Sequence, residues 1–302
     1  MGKMHRTYKL IISLVLGTAM LAALTGCGGD AGNGENGSDT RGFDTTAEIT
    51  VVSREDGSGT RGAFIELMGI EEKGTDGTKT DHTTVEADIA NKTDVMLTNV
   101  AGNPYAIGYV SLGSLNSSVA AVKIDGVEAS STNIKNGSYP VARPFNIATK
   151  GAPSKLAQDF IDYIMSAEGQ AIVSDNYIAV EEGAASYSGS MPAGKLVIAG
   201  SSSVSPVMEK LVEGYMQTNT AADIEIQTSD STAGMIGAID GICDIGMASR
   251  ELKDSELAEL TPVAIAMDGI AVIVNTQNTI QSLTANQVKS IFVGETTTWD
   301  AL

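Results

Sequence analysis

The chain has 302 residues, with 37 acidic against 19 basic side chains and a formal net charge of −18, which excludes a nucleic-acid backbone as its natural partner. Its two histidines, one of them at position 5, leave too few ligands for a His/Cys metal centre. A small anion is not excluded, because buried anion sites work through local N–H groups, hydroxyls and a single guanidinium rather than through net charge.

Lys3, Arg6 and Lys9 precede the apolar stretch LIISLVLGTAMLAAL, which ends in Leu24-Thr25-Gly26-Cys27. The stretch is too short and too close to the N-terminus to count as a membrane span of the mature protein. Small residues before a cysteine mark residues 1–26 as a bacterial lipoprotein signal. Cleavage before Cys27 and lipidation of its sulfur would tether the chain to the outer face of the cell membrane. An ordinary secretory signal is the alternative. With Cys27 lipidated, Cys243 stands alone and no disulfide framework is possible. Residues 27–47 are rich in Gly, Asp, Asn and Thr and read as a flexible tether.

Beyond the tether, short β-rich runs alternate with helical patterns. EITVVS (48–53) is strand-like, and RGAFIELMGI is helical. AIGYVSL (106–112), VAAVKI (119–124) and PFNIAT (144–149) are strands, and SKLAQDFIDYIMSAEGQAIVSD reads as one long amphipathic helix. EEGAASYSGSMPAG (181–194) is a small, polar break. KLVIAG (195–200) is a strand, PVMEKLVEGYMQ a helix, DIEIQTS a strand and AGMIGAIDG a helix. DIGMAS, VAIAMDGIAVIVN and the helix TANQVKSIFVG complete the series. Strands alternating with helices predict α/β lobes with mostly parallel sheets.

One device occurs at three strand-to-helix junctions. In SREDGSGTR, Arg54 and Arg61 flank Ser58, Gly59 and Thr60. In GSSSVSPVMEKL, Ser205 suits an N-cap and Pro206 the first helical position. In SDSTAGMIGAI, Ser231 and Thr232 precede Ala233 and Gly234. Each junction offers unpaired backbone N–H groups, the positive end of a helix dipole and nearby hydroxyls. Ser, Thr and Gly also build ordinary caps and turns. Three such junctions with an arginine predict an oxyanion site, and no Gly-x-x-x-x-Gly-Lys-Ser/Thr run supports a nucleotide P-loop. A serine hydrolase or phosphatase is disfavoured: Ser58 is not in a nucleophile elbow, and His82, in TDHTT, reads as a surface histidine. Trp299 is expected to pack near the C-terminal end, Cys243 to be a small buried residue, and ELKDSELAEL to be a solvated helix face.

These stretches, with NPYAIGYVSLG, YPVARPFNI, CDIGMASREL, MDGIAVIVN and IFVGETTTW, resemble the phosphate-binding proteins of bacterial phosphate ABC transporters, a periplasmic-binding-protein-like family. The resemblance implies an α/β, two-lobed periplasmic-binding-protein-like fold (type II), with mixed, mostly parallel sheets and two hinge strands, GIAVIVN and PVARPFNIA. Lobe B would comprise 48–140 and 268–302 with the hinge, and lobe A 141–180 and 195–267, with 181–194 as linker. It implies capture of inorganic phosphate in the interlobe cleft and delivery to ABC permease subunits, by a monomer that needs no cofactor or metal and performs no chemistry. Arg54, Ser58, Gly59 and Thr60 carry over as phosphate contacts, Asp56 as the carboxylate that orients Arg54, Ser203 as a hydroxyl contact, Val204 as a backbone N–H contact and Ser231 as a hydroxyl donor. Family members place an aspartate where this chain has Ala248-Ser249-Arg250. Ser249 therefore joins the expected contacts, and Asp268 is the candidate carboxylate for the phosphate proton. This departure keeps sulfate, molybdate or tungstate open as ligands. A surface sensing module is a further alternative.

The order of the segments differs from the family's. There, GSSSVSP-like residues come first and SREDGSGTR-like residues follow IFVGETTTW; here the later half comes first. This predicts a circular permutation in which 181–194 joins the old ends and Leu302 lies beside the 41–48 region. A fragment of a tandem fusion is the alternative.

Overall fold

A computed structural model of the chain describes residues 42–75 and 78–302. The expected signal 1–26, Cys27 and the tether up to residue 41 lie outside the described residues. In chain order the elements are β1 (Thr50–Arg54), α1 (Gly59–Leu67), β2 (Glu71–Lys73), β3 (Lys79–Asp81), β4 (Asp88–Ala90), α2 (Thr93–Gly102), β5 (Ala106–Ser111), β6 (Val119–Ile124), α3 (Ser131–Lys135) and β7 (Ala142–Lys150). Then come α4 (Lys155–Ile164), α5 (Ala167–Ser174), β8 (Gly194–Ser201), α6 (Ser205–Thr218), β9 (Ala222–Ser229), α7 (Ser231–Asp240), β10 (Ile245–Ala248), α8 (Asp254–Leu257), β11 (Leu260–Asn275), β12 (Ser282–Leu283) and α9 (Ala285–Phe292).

The strands form a mixed sheet in the order β4-β1-β5-β11-β7-β10-β8-β9, with β6 pairing β11 and β12. The two ends of this order are parallel, β4-β1-β5 and β10-β8-β9, as strand–helix–strand connections require. The middle is antiparallel and built on β11. One hydrophobic core gathers residues from 49–141 and 270–302, including Phe64, Tyr109, Ile273 and Trp299. A second gathers residues from 145–266, including Phe145, Phe160, Tyr215 and Ile245. β7 and β11 pass from one core to the other as an antiparallel pair, with Asp268 opposite Arg143 at the crossing. The run GIAVIVN is buried throughout, which is why it reads as continuous apolar residues rather than as an alternation.

Local chemistry departs from expectation at several points. The single helix expected over 154–175 is two helices. Ser166 caps α5 by accepting a hydrogen bond from the Gly169 amide, and its hydroxyl donates to Tyr163 O. A Cβ at Gly169 would lie 2.2 Å from that same carbonyl, so the sharp turn between α4 and α5 requires glycine there. Helix α6 starts with Val204 as its N-cap residue, so Ser205 is the first helical residue and Pro206 the second. The run ELKDSELAEL supplies only the single turn α8, and Glu256 is buried against Arg250 rather than solvated.

The segment 181–194 has no regular structure before Gly194, where β8 begins, yet it is held on the second core. The Ala167 amide donates to Ala185 O, the Tyr187 and Tyr215 hydroxyls donate to Asp159, and Asn219 Nδ2 donates to Pro192 O. Residues 42–47, expected as tether, are also packed. Phe43 lies against the rings of Tyr105 and Trp299, and Asp300 N donates to Thr45 O at 2.7 Å. Ile49 N donates to Thr297 O at 2.7 Å, and Leu302 packs on the same core. The residues after Arg41 and the last residues of the chain therefore lie side by side.

Candidate functional site

Four helix N-termini meet between the two cores. Those of α1 and α2 come from the first half, and those of α6 and α7 from the second. Each starts after a strand and ends its loop in hydroxyl residues, so the first-turn N–H groups and the positive dipole ends share one region with a cluster of buried hydroxyls. Thr60 Oγ1 and Ser203 Oγ share a 2.7 Å hydrogen bond between the halves. Thr93 Oγ1 lies 3.2 Å from Ser202 Oγ and 3.4 Å from Ser203 Oγ. Ser201 donates to Ser249 Oγ at 2.9 Å, and the Ser249 amide donates to Ser231 Oγ at 3.1 Å.

Gly59 closes the group: a Cβ there would lie 2.3 Å from Ser231 Oγ and 2.8 Å from Ser249 Oγ. No side chain could be added at position 59 without parting the two halves.

Arg54, at the end of β1, is 2% exposed. Its backbone is pinned on both sides. The amide donates to Tyr109 Oη at 3.0 Å, and the carbonyl accepts from Arg61 Nη1 at 2.6 Å. Its guanidinium reaches Thr93 Oγ1, Ser202 Oγ and Ala90 O. The structure corrects one expectation here. The carboxylate paired with Arg54 is that of Glu55, at 2.7 Å, whereas Asp56 lies 3.3 Å from Arg61 with a side chain that is 97% exposed.

Two more residues sit differently from their expected roles. The Ser58 hydroxyl caps α1 by accepting from Arg61 N at 3.3 Å, and the Val204 amide donates to Ser201 O at 3.0 Å. Both groups already have protein partners. Asp268 stands apart from the hydroxyl cluster. Its Oδ1 accepts from Ser111 Oγ at 2.8 Å and its Oδ2 from Arg143 Nη2 at 3.2 Å. Burial pushes its carboxyl up to about 6, against the opposing pull of Arg143 and Ser111.

Thr60, Ser203, Ser231, Ser249, Gly59 and Arg54 are thus brought together, and Asp56 and Asp268 are not. Sequence reasoning missed Glu55, Thr93, Ser201 and Ser202. Thr93 opens a helix within the polar run NKTD, which marks a helix start but not its place in space. A cleft of about 360 Å³ opens beside the cluster, with Lys92, Thr93, Ser114, Ser202 and Thr228 in its walls.

The chemistry available is recognition of a compact, multiply hydrogen-bonded anion. Among the described residues no group of three or more His, Cys, Asp or Glu could hold a metal ion. The side chain of His82, half-exposed, lies near Glu72.

Comparison with known proteins places the chain in a family. The sequence profile of the PBP superfamily domain matches residues 36–168 and 185–302. The chain is 50% identical to phosphate-binding protein PstS 2 of Streptococcus agalactiae, over 99% of each chain. It is similar to the crystal structure of the phosphate-binding protein of a phosphate ABC transporter from Streptococcus pneumoniae, with 46% identity and a TM-score of 0.68, covering 84% of this chain and 99% of that one. The phosphate-binding protein PstS of Bacillus subtilis matches at 33% identity over 45% of this chain and 43% of its own. The chain belongs to the PBP superfamily and, within it, to the phosphate-binding proteins of phosphate ABC transporters.

Proposed function

We propose that this chain captures inorganic phosphate between its two halves, outside the cytoplasm, and hands it to the permease of an ABC transporter without chemical change. The observation that carries the reading is the meeting of four helix N-termini, Arg54 and hydroxyls contributed by both halves, with Thr60 and Ser203 bonded to each other. A tetrahedral oxyanion has the acceptor count and charge to replace those hydroxyl–hydroxyl bonds with stronger charge-assisted ones. Arg54, Gly59, Thr60, Ser203, Ser231 and Ser249 are its contacts in this reading, with Thr93 and Ser202 added. The β7–β11 pair acts as the hinge on which the halves close. Titration calorimetry on protein stripped of anions tests the reading: heat with phosphate supports it, and absence of heat rejects it.

A second reading, capture of a fully ionised oxyanion such as sulfate, has one observation in its favour. Ser249 stands in the cluster, and Asp268 is engaged with Arg143 and Ser111. The same titration with sulfate separates the two. Anchoring through a lipid on Cys27 belongs to the proposal as well, and mass spectrometry of the membrane fraction tests it.

The circular permutation is likewise a proposal. In its support, the Bacillus subtilis relative matches less than half of either chain, while the Streptococcus agalactiae relatives match nearly all of both. The adjacency of Asp300 and Thr45 is what a permuted chain requires.

A further inference from the structure

The guanidinium of Arg54 is divided between two kinds of partner. One edge is taken by Glu55: Nε donates to Oε2 at 2.8 Å and Nη2 to Oε1 at 2.7 Å. The remaining hydrogens point the other way, from Nη1 to Thr93 Oγ1 at 3.3 Å and from Nη2 to Ser202 Oγ at 3.1 Å. A planar fork held at two points along one edge cannot roll, so its free edge is aimed at the hydroxyls between the halves. Asp56, the neighbouring carboxylate, is solvated and bound to Arg61, and an ion pair so exposed contributes little.

We propose that Glu55 is the residue that both positions Arg54 and sets how much negative charge the cleft accepts. This inference rests on the reading of the cleft as an oxyanion site. The Arg54 side chain is 3% exposed and that of Glu55 20%, so each charge works in a poorly screened environment and the pair is close to neutral as a unit. An anion that docks on the free edge meets an attractive guanidinium with a carboxylate behind it. That carboxylate penalises each extra negative charge on the ligand, so it weighs against a dianion more than against a monoanion. Among the described residues, no other carboxylate hydrogen-bonds to Arg54 or to the hydroxyls of Thr60, Thr93, Ser202, Ser203, Ser231 and Ser249. Asp94 and Glu209 line the adjoining cleft, opposite in sign to Lys92 beside them, without bonding the cluster; the carboxylate coupled directly to it is Glu55, through Arg54.

The test is titration calorimetry of the anion-stripped full chain with phosphate and with sulfate, at a pH below the second ionisation of phosphate. There phosphate is mostly a monoanion and sulfate a dianion. The ratio of the two affinities cancels any loss of geometry that affects both ligands. In Glu55→Gln the phosphate-to-sulfate ratio falls by about tenfold or more, and phosphate affinity climbs more steeply with pH than in the wild type. In Asp56→Asn the ratio stays within about threefold. Glu55→Asp keeps the charge and retains the wild-type ratio and pH slope even where overall affinity drops, which covers the case of a poorly folded glutamine variant. An unchanged ratio in Glu55→Gln, an equal change in Asp56→Asn, or a lost ratio in Glu55→Asp overturns the assignment. A wild type that binds neither anion overturns the oxyanion reading itself, and this inference with it.

Discussion

Arg143 and Asp268 face each other where β7 and β11 pass from one core to the other, with Nη2 3.2 Å from Oδ2 and side chains only 2% and 0% exposed. The Asp268 carboxyl is raised from 3.8 to about 6 by burial, with Arg143 opposing the rise. Because the folded value lies above the unfolded one, this group's contribution to stability is fully present below about 3.8 and is lost as pH rises through about 6. Arg143→Met removes the opposing charge and leaves an uncompensated carboxylate in the interior. The expected cost is about 3–5 kcal/mol at pH 8. The deficit shrinks on acidification, as Asp268 takes up its proton. Denaturant melts of variant and wild type across pH measure it, and a deficit that does not vary with pH rules out this account.

Gly59→Ala tests whether the halves must touch at the loop after β1. The new methyl would sit 2.3 Å from Ser231 Oγ and 2.8 Å from Ser249 Oγ, both on the opposite half. The cheap response is for the halves to part. Phosphate affinity is expected to fall by about tenfold or more, which is 1.4 kcal/mol or above, with a much smaller change in thermal midpoint. Small-angle scattering with saturating phosphate should show a more open molecule than the wild type; a fully closed variant with normal affinity contradicts the contact.

Arg54→Ala removes the only guanidinium bonded to the hydroxyl cluster among the described residues and leaves Glu55 facing it. Truncating one partner of a buried charge pair typically costs about 2–5 kcal/mol in binding, or roughly 30- to several-thousand-fold in affinity. Calorimetry at neutral pH reads the loss. Retained submicromolar binding would remove Arg54 from the site.

Much of the fold and part of the site were legible in the sequence, and the misses have a common cause. The α/β class follows from periodicity, and the buried run GIAVIVN marks itself by being apolar without alternation. The three junctions are recognisable because a Ser- or Thr-rich turn before a helix has a local cause, and local causes can be read from a sequence. Direction cannot. Glu55 and Asp56 are adjacent carboxylates at the end of β1, and only the path of the turn decides that the first meets Arg54 and the second meets Arg61. Ser201, Ser202 and Ser203 form a run of three whose hydroxyls reach Ser249, Arg54 and Thr60 respectively, the last two also sharing Thr93. Asp268 looked like a ligand carboxylate because it borders the hinge, but its strand register faces it to Arg143. Non-local pairing across the sheet carries these outcomes, and no window of sequence contains it.

Asp159 shows how the 181–194 segment is held. Burial works against its carboxylate, but hydrogen bonds from Tyr187, Tyr215 and Ser190 hold it below the usual range. A lowered folded value means stability that is present above 3.8 and lost as pH falls through the folded value. Asp159→Asn is expected to cost about 1.5–3 kcal/mol at pH 7, the worth of hydrogen bonds to a charged group. The gap to wild type narrows below about pH 4. Limited proteolysis supplies a second readout: loss of the clasp should make 185–191 the first site cut, and protection equal to wild type would mean that other contacts hold the segment.

The proximity of the two ends of the described chain makes the permutation directly testable. Asp300 N donates to Thr45 O, Glu48 and Thr298 form a bridge, and Phe43 packs on Trp299, so a few residues can join position 302 to position 42 without moving either. A rearranged chain would begin at Lys195, run to Leu302, pass through such a joint to Gly42 and end at Val180. It removes only the 181–194 crossing, which carries no helix and of the strands only Gly194, the first residue of β8. Loop closure changes little with a short joint, and backbone cuts at irregular surface segments are those that folds tolerate. The clasp on Asp159 is lost in this chain, so its stability should fall by about the same 1.5–3 kcal/mol as in Asp159→Asn. Its phosphate affinity should match the wild type, because every residue of the hydroxyl cluster keeps its place. Cooperative unfolding together with unchanged calorimetric affinity is the expected pair of results. A rearranged chain that folds yet does not bind would mean that the 181–194 crossing shapes the cleft, and that segment order is part of how the site is built.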